Sequence, residues 1–429
     1  MFGFANFLLL ALFAAVVFDL IFALARGGGL RGALHGLWNT PHLLFGQQLA
    51  EWRLQLGRIL FAAGLAAYEI SVVFCNSMAR QNWAWVQGVM SPVLEWLAFL
   101  CFGAKILFGT RYTWRELLAG GALYFIARWV YFNSQNIWWI GIVVAVLAAK
   151  DVPLRRPLQV YFASGCAAMA VVLALHFAGI VAPDLTSERM GALRGTYGYG
   201  HPNTFGGLVF GLVLAYALLR AQKVRWVDCL LVFAVGVFLL VGPASRSAAL
   251  CTLALAIGLV FCRLRAGHSV PRWWPGTCAG MVGLTAAVSY LLPLLVIKVG
   301  PWNNDIGPAW LAKLDSLLTC RISLTWMAYR LLDVKIAGQV FDWPTVDNSF
   351  AFALFQFGPV VAALLGILFA AALWGHAKQG RRVEVCCLFA MLAYAYMEVQ
   401  PFHLTTNPTA LLLCGAVFAQ TSTRWQKIE

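Results

Sequence analysis

Residues 4–25 read FANFLLLALFAAVVFDLIFALA, an apolar run of the length that a membrane-spanning helix requires. Such a helix needs about 20 mostly apolar residues to cross the hydrocarbon core of a bilayer. No basic residue precedes the run, and it is longer than the apolar core of a typical signal peptide, so we interpret it as a retained helix. Similar runs recur along the chain, centred near residues 14, 67, 99, 123, 142, 169, 211, 234, 255, 286, 362, 391 and 412.

The composition excludes a soluble protein. Of the 429 residues, 61% are hydrophobic and 11% are charged, whereas a soluble domain carries about 25% charged residues. The alternating ten-residue segments of a membrane β-barrel are not seen in the sequence. We therefore predict an all-α, polytopic membrane protein of about 12–14 transmembrane helices, forming a single membrane domain over residues 1–429.

The formal net charge of +14 comes from lysines and arginines that are concentrated in alternate connections between the apolar runs. This is the positive-inside pattern of cytoplasmic loops, so the charge does not require nucleic acid as a partner. The N-terminus is then outside, the C-terminus is inside, and we expect the long inner connection 26–58 to be interfacial or re-entrant. Lysine and arginine gather within residues 26–58, 105–115, 150–156, 220–225, 263–272, 378–382 and 424–427.

One outer connection, residues 298–348, is much longer than the others. Loops of that length in a compact fold are usually functional. Residues 310–318 within it have apolar side chains at helical spacing, which predicts a helix lying at the membrane interface. The remaining outer connections are 75–91, 133–136, 183–202, 242–246 and 399–405.

Metal and cofactor sites are not indicated by the sequence. The eleven cysteines are scattered, mostly within apolar runs, and neither a Cys-x-x-Cys motif nor a His/Cys cluster with zinc spacing occurs. An Asp-x-Asp pair, the usual metal-holding motif of nucleotide-sugar enzymes, is also missing. We expect no metal and no other cofactor.

Polar residues that a membrane protein would otherwise avoid gather on the predicted outer side. Four arginines lie near turns or predicted helix ends, and two acids lie at outer helix ends. Arginine presents a planar fork suited to phosphate oxygens, and a carboxylate beside it can take a proton from a hydroxyl group. The candidates are Arg189, Arg194, His201, Asn203, Arg246, Arg321, Asp347, Asn348, Glu398 and His403.

Each of these residues also has an ordinary structural interpretation. An outer arginine near a helix end is a common membrane anchor. His201-Pro202-Asn203 is compatible with a helix cap with proline in the first turn, and Asp347-Asn348 is compatible with a cap before an apolar run. The patterns together favour a site more strongly than any one of them does.

Five of these motifs, taken in order, resemble a known family. They are Arg194-Gly-x-x-Gly-x-Gly-His-Pro-Asn203, Ser245-Arg-Ser247, Cys320-Arg-Ile322, Asp347-Asn-Ser-Phe350 and Gln356-Phe-Gly358. Over roughly residues 185–415 the chain resembles the O-antigen polymerase and O-antigen ligase superfamily of bacterial membrane glycosyltransferases, above all its capsular and exopolysaccharide polymerases. The first 180 residues match only as a run of helices.

The resemblance implies a metal-independent transfer from a polyprenyl-pyrophosphate-linked oligosaccharide at the outer face of the bacterial cytoplasmic membrane. It gives Arg194, Arg246 and Arg321 the role of holding the pyrophosphate. In the ligase branch a histidine precedes the asparagine of the fourth motif, and here that position is Asp347, which favours the polymerase branch. Flippase and chain-length regulator proteins are implied partners. The rival interpretations are a ligase of the same superfamily and a transporter of lipid-linked oligosaccharide.

Overall fold

The computed structural model describes residues 2–26, 29–181, 187–189, 192–296 and 308–418. Helices dominate these residues, as the sequence predicts. Strands in the described ranges form two short antiparallel pairs: β1 (His42–Leu43) with β2 (Arg111–Tyr112), and β3 (Ser187–Arg189) with β4 (Ala192–Arg194). The predicted all-α class is confirmed.

Eighteen α-helices occur in the described part of the chain. They are α1 (Phe2–Ala25), α2 (Gly29–Asn39), α3 (Ala50–Cys75), α4 (Ala79–Asn82), α5 (Ser91–Phe108), α6 (Trp114–Ser134), α7 (Ile137–Ala148), α8 (Arg155–Phe177), α9 (Pro202–Leu219), α10 (Trp226–Val241), α11 (Arg246–Leu264), α12 (Trp274–Leu291), α13 (Ala309–Leu317), α14 (Arg321–Leu331), α15 (Ser349–Phe352), α16 (Pro359–Lys378), α17 (Arg382–Met397) and α18 (Cys414–Val417). Short stretches of 3-10 or π-helix lie at Val86–Met90, Leu292–Leu295, Ala353–Phe357, Gln400–Phe402 and Pro408–Leu413.

The chain is a polytopic membrane protein. Eight helices in the described residues are long and apolar enough to cross a membrane, and three further apolar helices are shorter. Twelve of the thirteen predicted apolar runs coincide with one α-helix each. The run near residue 412 differs, because it forms the 3-10 helix Pro408–Leu413 and the four-residue α18. Together these are too short for a full crossing.

Helix α10 shows how the apolar surface is divided. Cys229 and Leu239 are buried against other helices, whereas Val227, Leu230 and Val241 are exposed to 69%, 67% and 76%. A helix that is apolar on its packed face and equally apolar on its open face suits a lipid environment, because water would disfavour the open face.

The chain divides into two compact units. The first contains the described residues of Met1–Arg128, Ile140–Leu208 and Ala410–Glu429. The second contains Trp129–Trp139 and the described residues of Val209–Thr409. In the first unit α3 packs against α5 and α8, and in the second α10 packs against α11 and α12 against α16. The expectation of a single membrane domain stays a prediction.

Within the second unit, α11 and α17 run antiparallel to each other. Ser247 at the start of α11 lies 2.9 Å from Glu398, which directly follows α17. At the opposite ends, the Sγ atoms of Cys262 on α11 and Cys386 on α17 are 3.5 Å apart. The pairing therefore brings the first turn of one helix to the last turn of the other, where polar residues meet.

The long connection 298–348 contains two helices in its described part. Helix α13 confirms the helix predicted over residues 310–318, and α14 follows it directly. Residues 298–307 of the connection lie outside the described residues. Downstream, Gly338 and Gly358 have φ angles of +75° and +87°, and a Cβ at either glycine would overlap the opposing backbone. These two glycines let the end of the connection lie against the segment after α15.

Candidate active site

The start of α14 is stabilised by an acid from the preceding helix. The residue before α14, Cys320, has φ of 63° and offers no side-chain cap. Instead Asp315 on α13, which is fully buried, accepts hydrogen bonds from the backbone N–H groups of Ile322 (2.8 Å) and Ser323 (3.1 Å). A carboxylate at this position accepts from N–H groups of the first turn, which have no partner within the helix. Its negative charge is also stabilised by the positive end of the helix dipole. It thereby places Arg321 in the first turn.

The Arg321 guanidinium is almost buried, with 8% of the residue exposed. Its Nη2 atom donates to Glu398 Oε1 at 2.6 Å, and Nη1 donates to the Leu318 carbonyl at 2.9 Å. Nε donates to the Met397 carbonyl, and Nη2 also lies 3.4 Å from Ser247 Oγ. Donors on each edge of the planar group are engaged, so the orientation of the fork is set by its surroundings.

Asp347 and Asn348 have separate tasks. The Asn348 side chain accepts from the N–H groups of Phe350 (2.9 Å) and Ala351 (3.2 Å), so Asn348 is the residue that caps α15. Asp347 Oδ2 lies 3.9 Å from Arg321 Nε, and its side chain is 32% exposed. At that distance the two side chains form an ion pair but not a hydrogen bond. The cap interpretation therefore holds for Asn348, and Asp347 is left facing Arg321.

Glu398 is the buried carboxylate of the group. Ser247 Oγ donates to its Oε1 at 2.9 Å, and Ser349 Oγ donates to its backbone carbonyl at 2.5 Å. Burial raises the pKa of Glu398 to about 7, and the charge of Asp347 acts in the same direction. Arg321 and the Ser247 hydroxyl favour the charged form and oppose the rise. A proton can therefore enter this ion pair near neutral pH.

Arg246 opens α11 and has an exposed side chain. Its neighbour Ser247, which belongs to the Ser-Arg-Ser motif but was not among the candidate residues, is buried and donates to Glu398. Successive side chains of an α-helix point about 100° apart, so adjacent residues of the Ser-Arg-Ser motif face different surroundings. The Ser-Arg-Ser turn indicated a site residue from the sequence. Which of its three residues contacts Glu398 depends on how α11 packs.

Arg194, His201 and Asn203 form a group of their own in the first unit. Nη2 of the buried Arg194 donates to Asn203 Oδ1 at 3.0 Å. The Asn203 N–H donates to His201 Nδ1 at 3.1 Å, so the histidine caps α9 and Pro202 occupies the first helical position, as the structural alternative had it. Arg189 lies in β3, and its side chain is outside the described residues.

His403 lies in the connection after α17, where its half-buried ring packs on Trp138 with centroids 4.0 Å apart. Burial lowers the pKa of His403 to about 4, so the ring is neutral at pH 7. Trp138 was not singled out from the sequence. A signal was present in the short polar connection 133–136, which is followed after one isoleucine by two tryptophans.

The second unit thus brings together Arg321, Asp347 and Glu398, with Ser247 and Asp315 as supporting residues whose roles only the structure reveals. Among the described residues, no group of three or more His, Cys, Asp or Glu side chains could hold a metal ion. Comparison of the chain with protein-family models, with curated proteins and with solved structures gives no match.

Proposed function

We propose that this protein is a membrane glycosyltransferase of the polysaccharide polymerase type. It joins polyprenyl-pyrophosphate-linked oligosaccharide repeat units at the outer face of the bacterial cytoplasmic membrane. The observation that supports this most is the Arg321 guanidinium, oriented by buried Glu398 and faced by the more exposed carboxylate of Asp347. A phosphate-binding cation beside an accessible carboxylate is the minimum that such a transfer requires.

In the proposed reaction, a hydroxyl of the acceptor repeat attacks the anomeric carbon of the donor sugar. The bond between that carbon and the pyrophosphate oxygen breaks, and its electron pair leaves with the pyrophosphate. Asp347 takes the proton of the attacking hydroxyl. Arg321 stabilises the negative charge that grows on the leaving group, which is the dominant catalytic task because pyrophosphate leaves already ionised.

The two carboxylates differ in ways that assign their roles. Asp347 is one-third exposed and lies beyond hydrogen-bonding distance of Arg321, so a hydroxyl can reach the acid without displacing a hydrogen bond to the guanidinium. Glu398 is buried and holds Arg321 directly at 2.6 Å. We therefore propose Asp347 as the base and Glu398 as a positioning residue for the guanidinium.

The charge of the cluster requires a further cation. One guanidinium and two carboxylates carry no net positive charge, and an anionic pyrophosphate would be repelled unless more positive charge is near. Arg246, exposed at the start of α11 beside Ser247, is proposed to supply it within the same unit. The role of Arg194 in holding pyrophosphate, with Arg189, His201 and Asn203 nearby in sequence, stays a prediction.

The test replaces the two central residues in cells whose own copy of the gene is deleted. Arg321→Lys keeps the charge but loses the bidentate fork, and Asp347→Asn keeps the size but removes the base. The matched controls are Arg330→Lys, at the exposed end of α14, and Asp342→Asn, exposed in the segment before Asp347. Polymer length is measured on gels, together with the amount of each variant in the membrane.

Polymer is expected to be lost in both site variants and retained in both controls, with all four proteins present at normal levels. Single repeat units should accumulate on the carrier lipid at the outer face. Accumulation at the inner face would identify a transporter instead. Normal polymer in Asp347→Asn would remove that residue from the reaction. Polymer of normal length that is no longer attached to its final acceptor would identify the ligase activity.

A further inference from the structure

A short polar connection links α6 to α7 in the second unit. Asn133 and Gln135 are exposed, and Asn136 is half-buried. Nδ2 of Asn133 donates to the Trp129 carbonyl, Nε2 of Gln135 donates to the Phe132 carbonyl, and Oδ1 of Asn136 accepts from the Trp138 N–H. Within the described residues, Asn133 Oδ1, Gln135 Oε1 and Asn136 Nδ2 have no protein partner. Three amide groups are thus able to bind a ligand.

An aromatic surface lies directly beside this connection. Trp138, in the first turn of α7, is half-buried and packs on the ring of His403 and, at a centroid distance of 5.9 Å, on Phe352. Phe352 in turn packs on buried Phe402 at 5.8 Å. The indole therefore packs on two rings, of which Phe352 is itself supported by Phe402, while part of the indole stays open to the surroundings.

Residues 349–356 connect this aromatic surface with the Arg321 cluster. Ser349, at the start of α15, donates to the carbonyl of Glu398, and Phe352 three residues later contacts Trp138. Three residues of an α-helix rise only about 4.5 Å. Further along the segment, Gln356 Nε2 donates to the Ser134 carbonyl at 3.0 Å. The amide groups, the indole and the carboxylates are thus held by one continuous set of contacts.

Resting on the function proposed above, we propose that Trp138, His403 and the amide side chains of residues 133–136 form a saccharide-binding subsite. It holds sugar units of the lipid-linked substrate next to Asp347. The C–H face of a pyranose packs on an indole, whose π face is electron-rich, and sugar hydroxyls pair with amide oxygens and N–H groups. Residues 133–138 contain no charged side chain, which matches a neutral, hydroxyl-rich ligand.

The test measures binding of free glycan, so that its readout is independent of catalysis. The probe is the repeat-unit oligosaccharide released by mild acid from the carrier lipid of cells that lack the protein. Calorimetry with the full-length protein in lipid nanodiscs compares wild type, Trp138→Ala, Trp138→Phe and Asn133→Ala. The control is Trp374→Ala near the end of α16, where the indole is 48% exposed and lies beside Gly276 of α12.

Wild type should bind the oligosaccharide, and Trp138→Ala should bind about tenfold more weakly, since it loses the stacking face. Trp138→Phe keeps an aromatic face and should stay within about twofold of wild type. Asn133→Ala should bind more weakly, and Trp374→Ala should bind as wild type does. If Trp138→Ala does not fold, the ordering of wild type, Trp138→Phe and Asn133→Ala still decides the proposal.

The outcomes separate this subsite from the proposed polymerase function. Equal binding by wild type, Trp138→Ala and Asn133→Ala would overturn the subsite and leave Trp138 as an anchor at the membrane interface. Polymerisation by a wild-type protein that binds no free oligosaccharide would also overturn it while supporting the polymerase. Binding that depends on Trp138, in a protein that makes no polymer from lipid-linked repeats, would support the subsite and refute the polymerase.

Discussion

The replacement of Arg321 by lysine tests how the candidate site is built. Lysine carries one nitrogen, which can keep the ion pair with Glu398 but cannot also reach the carbonyl groups of Leu318 and Met397. A hydrogen bond from a charged donor contributes about 1.5–3 kcal/mol. Taking the lower value, because water can replace part of each bond, the loss of two bonds lowers the free energy of unfolding by about 3 kcal/mol.

The free energy of unfolding is measured in mixed detergent micelles, with tryptophan fluorescence as the probe, for wild type, Arg321→Lys and the exposed control Arg330→Lys. The control should lie within about 0.5 kcal/mol of wild type. Turnover per folded molecule of Arg321→Lys should fall about 100-fold if its fork binds the leaving group. Unchanged stability would show that the two carbonyl contacts do not hold the guanidinium, and unchanged turnover would remove Arg321 from pyrophosphate binding.

Three further predictions concern the neighbouring structure. Gly358→Ala should destabilise the protein by more than about 2 kcal/mol because of its positive φ and lack of space, whereas Gly366→Ala, an open position within α16, should stabilise it slightly, as thermal unfolding would show. Diamide, which accepts two electrons and two protons from a thiol pair, should link Cys262 to Cys386, detectable by peptide mass spectrometry; failure to link would contradict the packing of α11 on α17. Turnover should fall as pH drops through about 7, because protonated Glu398 no longer pairs with Arg321. Glu398→Gln should be slow at every pH, yet at least as stable as wild type above pH 7. The reason is that folding raises the pKa of the Glu398 carboxyl, so the wild-type protein loses stability as the pH rises.

The membrane helices could be predicted from the sequence because lipid imposes a simple rule on length and polarity. A helix that crosses the bilayer must be apolar over about 20 residues. Twelve of the thirteen runs coincide with one α-helix each, and eight helices of the described residues are long and apolar enough to cross. The run near residue 412 has the apolar composition of a membrane-spanning helix but does not form a long α-helix. Pro408 begins a 3-10 helix there, and its geometry depends on tertiary packing that periodicity does not report.

The candidate site was predictable in its residues but not in its contacts. Arg321, Asp347 and Glu398 were all recognisable as charges at helix ends in a membrane protein. Their pairing was not, since Arg321 and Glu398 are 77 residues apart and meet only through the packing of α14 beside the end of α17. Asp315 was missed for a related reason: within a helical pattern it looks like an ordinary polar position, and its capping role requires the turn between α13 and α14.

The most direct test of the proposed function is polymerisation by the purified protein. Wild type and Asp347→Asn are incubated with lipid-linked repeat units in liposomes containing EDTA, and the products are separated by length. This function predicts a ladder of polymers from wild type in the chelator and only single repeats from Asp347→Asn. A wild-type protein that makes no polymer, that needs added Mg²⁺ or Mn²⁺, or that polymerises equally well without the Asp347 carboxylate would contradict it.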